Sequence, residues 1–360
     1  MIHFHPLRVA EVRRETEDTV SIAFDIPDQL RSDFSYDAGQ YLTLRTFLNG
    51  EDVRRSYSLC SAPSEGQWRV AVKEVPEGRF STWANRTLQA GETLDVMAPQ
   101  GRFVIHPDRA QASHYVLFAA GSGITPVIAI AKEVLASEPE SQVTLFYGNR
   151  SMRSVIFLEE LENLKNRFLG RLSLHFIFSK EHQSSPLFEG RINGDRCKEL
   201  LTHFVHATGR EQYYICGPEE MIRDIIHTLK EGGIPEDQVH FELFTSPVGP
   251  LGTSNELVKD TASHVGERAR VQVKLDGRVF AFELDYNGQN ILDASMVTGA
   301  DLPFSCKGGV CCTCRAKLVT GEVSMDANYA LEPWEVEQGF ILTCQSHPRT
   351  TDLFVDFDQQ

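Results

Sequence analysis

Tyr115-Val116-Leu117-Phe118-Ala119-Ala120-Gly121-Ser122-Gly123-Ile124-Thr125-Pro126 is the stretch whose reading decides the fold. Its first half is a continuous apolar run, as expected of a strand buried on both faces. The run ends in a glycine turn, and Val127 to Ala136 reads as a helix. Strand, glycine turn and helix form the context in which a dinucleotide fingerprint carries weight. The glycines Gly121 and Gly123 allow a phosphate to approach closely, and the helix start supplies oriented N–H groups. Pro126 stands where the usual motif has its third glycine, and proline suits the first helical turn.

Downstream, the alternation of strand and helix continues. Val143 to Tyr147 reads as a strand leading to Gly148-Asn149-Arg150, Leu158 to Asn166 as a charged helix, and Leu172 to Phe178 as a third strand. Gln212 to Ile215 is a fourth, ending in Cys216-Gly217-Pro218 before a helix from Glu219 to Lys230, and Phe241 to Phe244 closes the sheet. This pattern implies a doubly wound parallel α/β domain with ligands at the carboxyl ends of its strands. Cys216 lies at such an end; without the turn beside it, it would read as a half-buried small hydrophobe. Arg150, Ser151 and Arg153 follow the second strand, where an adenosine ribose would lie. No acid occupies that turn, which favours a 2′-phosphate and hence NADPH over NADH.

Upstream, residues 1 to about 107 read as all-β. Val20, Ile22, Phe24 and Ile26 alternate strictly, Asn49-Gly50 separates two further runs, and Trp68 to Lys73 alternates again. Short strands between turn signals suggest a small antiparallel barrel, with one short helix from Thr82 to Leu88. Within it, Arg55-Ser56-Tyr57-Ser58 puts a phosphate-forking guanidinium, a flat aromatic and a hydroxyl on one strand. Gly78-Arg79-Phe80-Ser81-Thr82 is a glycine turn at a helix start, suited to a pyrophosphate.

Near the end of the chain, Cys306, Cys311 and Cys314 give C-x4-C-x2-C, and Cys344 follows alone. That spacing suits a [2Fe–2S] cluster. Gly308 and Gly309 fit a loop that must fold its backbone onto the metal site, since glycine accepts φ > 0. Cys312 falls outside the spacing and reads as a bystander. Structural zinc prefers paired knuckles, and disulfide frameworks belong to short secreted chains.

With 360 residues, 41% hydrophobic and 24% charged, the chain has the composition of a globular protein of two or three domains. No apolar run is long enough to span a membrane, and no secretory signal opens the sequence. Scattered thiols beside a metal cluster point to a reducing compartment, the cytoplasm. A net charge of −15 argues against nucleic-acid and anionic-membrane partners. The segment from Gly266 carries a balance of −6, which serves simple solubility or an acidic docking face for a basic partner. Residues 246–265, mixing Pro, Gly, Ser and charge, read as a linker.

Taken together, Arg55-x-Tyr57-Ser58, Gly78-x-x-Ser81, Pro99-Gln100-Gly101-Arg102-Phe103, Gly121-x-Gly123-x-Thr125-Pro126 and Cys216-Gly217-Pro218 resemble the ferredoxin–NADP reductase superfamily. The cysteine pattern resembles a plant-type ferredoxin. Ser305 to Cys311 and Met325 to Leu331 resemble the reductase subunits of phenylacetyl-CoA epoxidases. Reductases of Rieske-type oxygenases and of steroid or aromatic hydroxylases share the architecture. The resemblance implies a multidomain chain: a flavin β-barrel at 1–108, an α/β nucleotide domain at 109–245, and an α+β (β-grasp) ferredoxin domain at 266–360. It implies FAD, with FMN used by some cousins, together with NADPH (or NADH) and a [2Fe–2S] cluster.

Roles follow from the same resemblance. Arg55 would contact flavin phosphate, Tyr57 would pack on the isoalloxazine, and Ser58 would bond near N5. Gly78, Phe80, Ser81 and Thr82 would line the pyrophosphate. Gly121, Gly123, Thr125, Gly217 and Pro218 would hold the dinucleotide, with Arg150, Ser151 and Arg153 at its 2′ end. Cys216 would stand beside the hydride path and Phe244 near the flavin ring, while Cys306, Cys311, Cys314 and Cys344 would bind the irons. The implied activity is passage of electrons one at a time to an oxygenase, chiefly a di-iron epoxidase of several subunits in phenylacetate catabolism. A redox-sensing module is the contrasting possibility.

Overall fold

The alternating apolar positions of the first hundred residues become strands in the structure, a computed structural model that describes residues 3–244 and 268–359. β1 (Phe4–Thr16), β2 (Thr19–Asp25), β3 (Tyr41–Leu48), β4 (Glu51–Ser58), β5 (Trp68–Lys73) and β6 (Thr93–Met97) pair antiparallel in the order β4-β3-β6-β1-β2-β5. A bridge between Leu59 and Val70 joins the two edges and closes the barrel. Asn49 and Gly50 both take positive φ, 55° and 81°, the two-residue hairpin turn whose twist matches the strands it connects. Ile22, Leu42, Leu44, Val70, Val72 and Val96 are buried inside. α1 (Arg79–Arg86) plugs this barrel with Phe80 and Ala84. It begins three residues before the sequence expectation because Gly78 can stand as its N-cap. β6 is missing from the sequence reading, being only five residues long.

The second sheet is wholly parallel: β7 (His114–Ala120), β8 (Gln142–Asn149), β9 (Leu172–Phe178), β10 (Glu211–Cys216) and β11 (Val239–Glu242), in the order β11-β10-β7-β8-β9. α2 (Ile124–Ser137), α3 (Leu158–Arg167), α4 (Gly194–Phe204) and α5 (Glu219–Glu231) connect these strands. α4 went unread, although Asn193 caps it by accepting a bond from the Arg196 N–H. β11 stops at Glu242, two residues short of the expected strand, because its pairing with β10 ends where β10 ends, at Cys216 opposite Glu242. Leu243 and Phe244 lie beyond it.

Within the unit Phe4–Phe244, a buried lysine joins barrel to α/β layer. Lys132 on α2 donates to the Cys60 carbonyl (3.0 Å) and pairs with Glu65 (3.1 Å) and Glu160. Cys60 lies two residues past Ser58, so the strand end carrying Ser58 is tied to the helix that follows the glycine turn.

The second compact unit has a separate core. It contains β12 (Arg268–Leu275), β13 (Arg278–Asp285), α6 (Ile291–Val297), β14 (Arg315–Thr320), β15 (Val323–Met325), α7 (Pro333–Glu337), β16 (Phe340–Leu342), β17 (Ser346–Pro348) and β18 (Asp352–Asp356). Its main sheet runs β13-β12-β18-β14-β16, with β12 and β18 parallel and the other pairs antiparallel. α6 packs against this sheet in an α+β arrangement. The segment 246–265, read as a linker, lies outside the described residues.

Candidate functional site

The order of the parallel sheet reverses between β7 and β10, and ligands of open α/β sheets bind at such a reversal. The turns leaving these two strands meet there. A Cβ on Gly123 would stand 2.1 Å from the Cys216 carbonyl oxygen and 2.8 Å from the Gly217 nitrogen. A Cβ on Gly217 would meet Met221 and Ala120. These two glycines therefore serve strand-to-turn packing, whereas Gly121, at φ +54°, has open space where a side chain would go. The phosphate-approach argument consequently belongs to Gly121 alone. Replacing Gly123 by alanine is expected to cost about 1–3 kcal/mol, read as a lowered urea midpoint, because backbone cannot yield as a side chain tip can.

Thr125 is buried, and its hydroxyl donates to the Ser122 carbonyl (3.1 Å). Cys216 is fully buried, and burial together with the nearby Glu242 carboxyl pushes its thiol well up. Pro218 is the N-cap of α5. One strand outward, Arg150 and Arg153 are exposed, with no carboxylate paired to either among the described residues. Ser151 closes a short turn with Ser154 through its backbone N–H (3.1 Å) and carbonyl (2.7 Å). Glu181, three residues beyond β9, accepts a bond from the Met152 N–H (2.9 Å), an acid near this turn that the local sequence did not reveal.

On the barrel side, Tyr57 packs against Phe80 with ring centroids 5.4 Å apart, and burial raises its phenol pKa. Phe80 lies beneath it in the core. Ser81 turns its hydroxyl into the loop, between the Val75 N–H and the Gly78 carbonyl, both at 3.2 Å. A Cβ on Gly78 would lie 2.3 Å from that hydroxyl and 2.5 Å from Val75 Cγ2, so a side chain there would have to displace both. No side chain caps α1, so the N–H groups at its very start, ahead of Thr82, are left for a ligand, while the Thr82 N–H donates to the Gly78 carbonyl (2.9 Å). Arg55 is exposed midway along β4, its guanidinium donating to the Arg54 carbonyl (2.7 Å).

The barrel and sheet meet at Ser58, which donates to Glu242 Oε2 (3.1 Å). Glu242 is paired in register with Cys216 and acts on its thiol, so Ser58 and Cys216 share one carboxyl group, while Gly123 packs against the Cys216 carbonyl. Burial drives its pKa up to about 8, against the opposing effect of the Ser58 bond. Glu242 was not among the residues nominated from sequence. Its signal was an acid between Phe241 and Leu243 at the carboxyl end of a parallel strand. Phe244, two residues on, is exposed.

In the second unit the four expected cysteines form two pairs. Cys306 and Cys311 are hydrogen-bonded to each other, as are Cys314 and Cys344. The Cys311 thiol, joined by the N–H groups of Gly308, Val310 and Cys311, draws Cys306 down towards its thiolate. Two sulfurs beside two sulfurs fit a two-iron cluster, and N–H groups directed at sulfur fit its thiolates. Among the described residues, no three ligating side chains converge on a single point. The loop's conformation corrects one expectation: positive φ falls on Lys307 (52°), Gly309 (77°) and Cys312 (54°), and not on Gly308. Cys312 turns away, its thiol 3.1 Å from the Ala330 carbonyl.

Comparison with known proteins accounts for this combination. Residues 6–105 match the oxidoreductase FAD-binding domain family, 117–227 the oxidoreductase NAD-binding domain family, and 273–349 the 2Fe-2S iron-sulfur cluster binding domain family. The chain is 42% identical, over 99% of both lengths, to a subunit of the 1,2-phenylacetyl-CoA epoxidase of Escherichia coli K12. The chain belongs to the ferredoxin–NADP reductase-like oxidoreductases. This reductase is also 34% identical to the ferredoxin reductase component of the 3-ketosteroid-9-alpha-monooxygenase of Rhodococcus rhodochrous, over 98% of this chain and 96% of that one. Its fold is that of phthalate dioxygenase reductase, at a TM-score of 0.58, 23% identity and 98% coverage of both chains. The reductase thus combines flavin, nicotinamide and iron–sulfur domains in a single electron-transfer chain. No described helix is long and apolar enough to cross a membrane.

Proposed function

We propose that this reductase takes electrons from NADPH and passes them singly to the oxygenase component of a phenylacetyl-CoA epoxidase, a cytoplasmic di-iron enzyme of several subunits. The observation that carries the chemistry is the meeting of Ser58, Cys216 and Glu242, where a barrel strand abuts the reversal of the parallel sheet. A flavin accepts two electrons as a hydride and releases them one at a time, which is what links a nicotinamide to an iron–sulfur cluster.

The protein's part is placement. The helix start after Gly78 receives the flavin pyrophosphate through its backbone, which Phe80, Ser81 and Thr82 hold in place, and Arg55 forks onto a phosphate. Tyr57, backed by Phe80, supports the isoalloxazine face, while Ser58 directs a hydroxyl to its edge and Phe244 lies near its ring. Gly121 admits the dinucleotide phosphates, with Gly123, Thr125, Gly217 and Pro218 shaping the two turns around them. Buried Cys216 contributes shape at the nicotinamide and no nucleophile. Cys306 and Cys311 hold one iron, Cys314 and Cys344 the other. The functional domains are taken as 1–108, 109–245 and 266–360.

Anaerobic titration with NADPH, and separately NADH, followed by absorbance and electron paramagnetic resonance, tests the relay. The expected result is bleaching of the flavin followed by a reduced-cluster signal. Arg150→Ala and Arg153→Ala are each expected to raise the KM for NADPH by about tenfold or more and to leave that for NADH unchanged. A charge-assisted hydrogen bond is worth roughly 1.5–3 kcal/mol. Equal losses with both nucleotides would remove the 2′-phosphate assignment. Reconstitution with the epoxidase oxygenase, beside steroid and Rieske-type oxygenases, tests the partner. The 34% identity to a steroid monooxygenase reductase component makes that comparison necessary.

A further inference from the structure

Gln345 follows Cys344, and its backbone is held on both sides. Its N–H donates to the Leu342 carbonyl (2.9 Å), and its own carbonyl accepts from the Asp326 N–H (2.8 Å). The side chain is thereby aimed back over the cysteine loop. Its carboxamide nitrogen stands 2.9 Å from the Lys307 carbonyl, 3.0 Å from the Cys344 carbonyl and 3.5 Å from Cys344 Sγ. Lys307 immediately follows Cys306, so one amide group spans both halves of the cysteine set. Gly309 leaves room for this passage: a Cβ there would lie 3.4 Å from Gln345 Cγ and 3.0 Å from the Ala327 carbonyl. Two N–H groups serve three acceptors, which makes a shared bond to the sulfur part of the arrangement.

We propose that Gln345 is a positioning residue of the cluster site, tying the Cys344 ligand to the Cys306 loop and raising the cluster's reduction potential through an N–H···S bond. The proposal rests on the reading of the four cysteines as cluster ligands. Reduction adds one electron, and its negative charge is shared with the ligand sulfurs. A donor dipole directed at such a sulfur stabilises the reduced form more than the oxidised one. A carbonyl-anchored amide also holds that dipole in place.

The test uses the full-length protein with flavin and cluster in place. Midpoint potentials of cluster and flavin are measured together by a redox titration read by electron paramagnetic resonance and absorbance, with iron content and visible circular dichroism as controls. Gln345→Leu removes the donor at similar volume. It is expected to lower the cluster potential by an amount equal to about a three- to tenfold change in the electron-sharing constant, tenfold being about 59 mV for one electron. The flavin potential should not move. Gln345→Glu keeps the shape, replaces the donor by a carboxylate and is expected to lower the potential further. A leucine variant with full iron content and an unchanged cluster potential overturns the proposal. Should that variant lose iron, the glutamate variant decides, and an unchanged or raised potential there overturns it as well. Absence of any [2Fe–2S] signal from the unaltered protein would instead defeat the underlying ligand assignment, and the role of Gln345 with it.

Discussion

A Cys311→Ser variant is expected to accept hydride from NADPH at close to the unaltered rate and to deliver electrons to its oxygenase more than about a hundredfold more slowly. The hydride-accepting machinery lies in the unit Phe4–Phe244, and the cysteines lie in a unit with its own core, so the damage stays local. Cys311 shares a hydrogen bond with Cys306, and its removal leaves that member of the pair alone. Serine offers a harder oxygen where soft thiolate is wanted. Even outer partners of metal ligands are worth roughly 10–100-fold, and a ligand is worth more. Stopped-flow flavin reduction, iron content and turnover with the oxygenase separate the steps. Undiminished delivery would remove Cys311 from the ligand set.

The second large effect concerns Glu242. Its folded-state pKa, raised from 4.5 to about 8, means that the folded protein holds a proton which the unfolded chain has released at neutral pH. Stability should therefore be greatest below about pH 4.5 as far as this group is concerned, and fall as pH rises towards 8, where the folded state ionises too. The loss amounts to about 2–4 kcal/mol, after a discount for the partial exposure of the side chain. Glu242→Gln keeps a neutral acceptor for Ser58 and removes the titration, so its urea-unfolding free energy should fall less steeply between about pH 5 and 8 than that of the unaltered protein. Equal slopes for the two proteins would show that Glu242 is ionised in the fold. In the same window, a bound flavin and nicotinamide would meet an uncharged carboxyl group and not an anion.

Most of the architecture was legible along the chain because it rests on local periodicity. The apolar run before Gly121 reads as a strand buried on both faces, as β7 is, whereas the alternation from Val20 to Ile26 reads as a half-buried one and β2 is instead buried on both faces, with Ser21 and Ala23 covered as well. The spacing of Cys306, Cys311 and Cys314 carries its chemistry in the intervals between them. Elements with weak local signals escaped, among them five-residue β6 and α4, whose cap is a single asparagine.

What the chain alone determined, then, was the order of three domains and the residue types each offers to its cofactor, since both depend on neighbours a few positions apart. Tertiary structure decided which groups share a site. Ser58 and Glu242 are 184 positions apart and bond only because the barrel abuts the sheet reversal. Lys307 and Gln345, 38 apart, meet only through the folding of the cysteine loop. It also divided the duties of Gly121 and Gly123, since a glycine facing open space and one pressed against a neighbouring strand look the same in sequence. Burial, which sets the protonation of Glu242, likewise belongs to the packed surroundings and not to the residue.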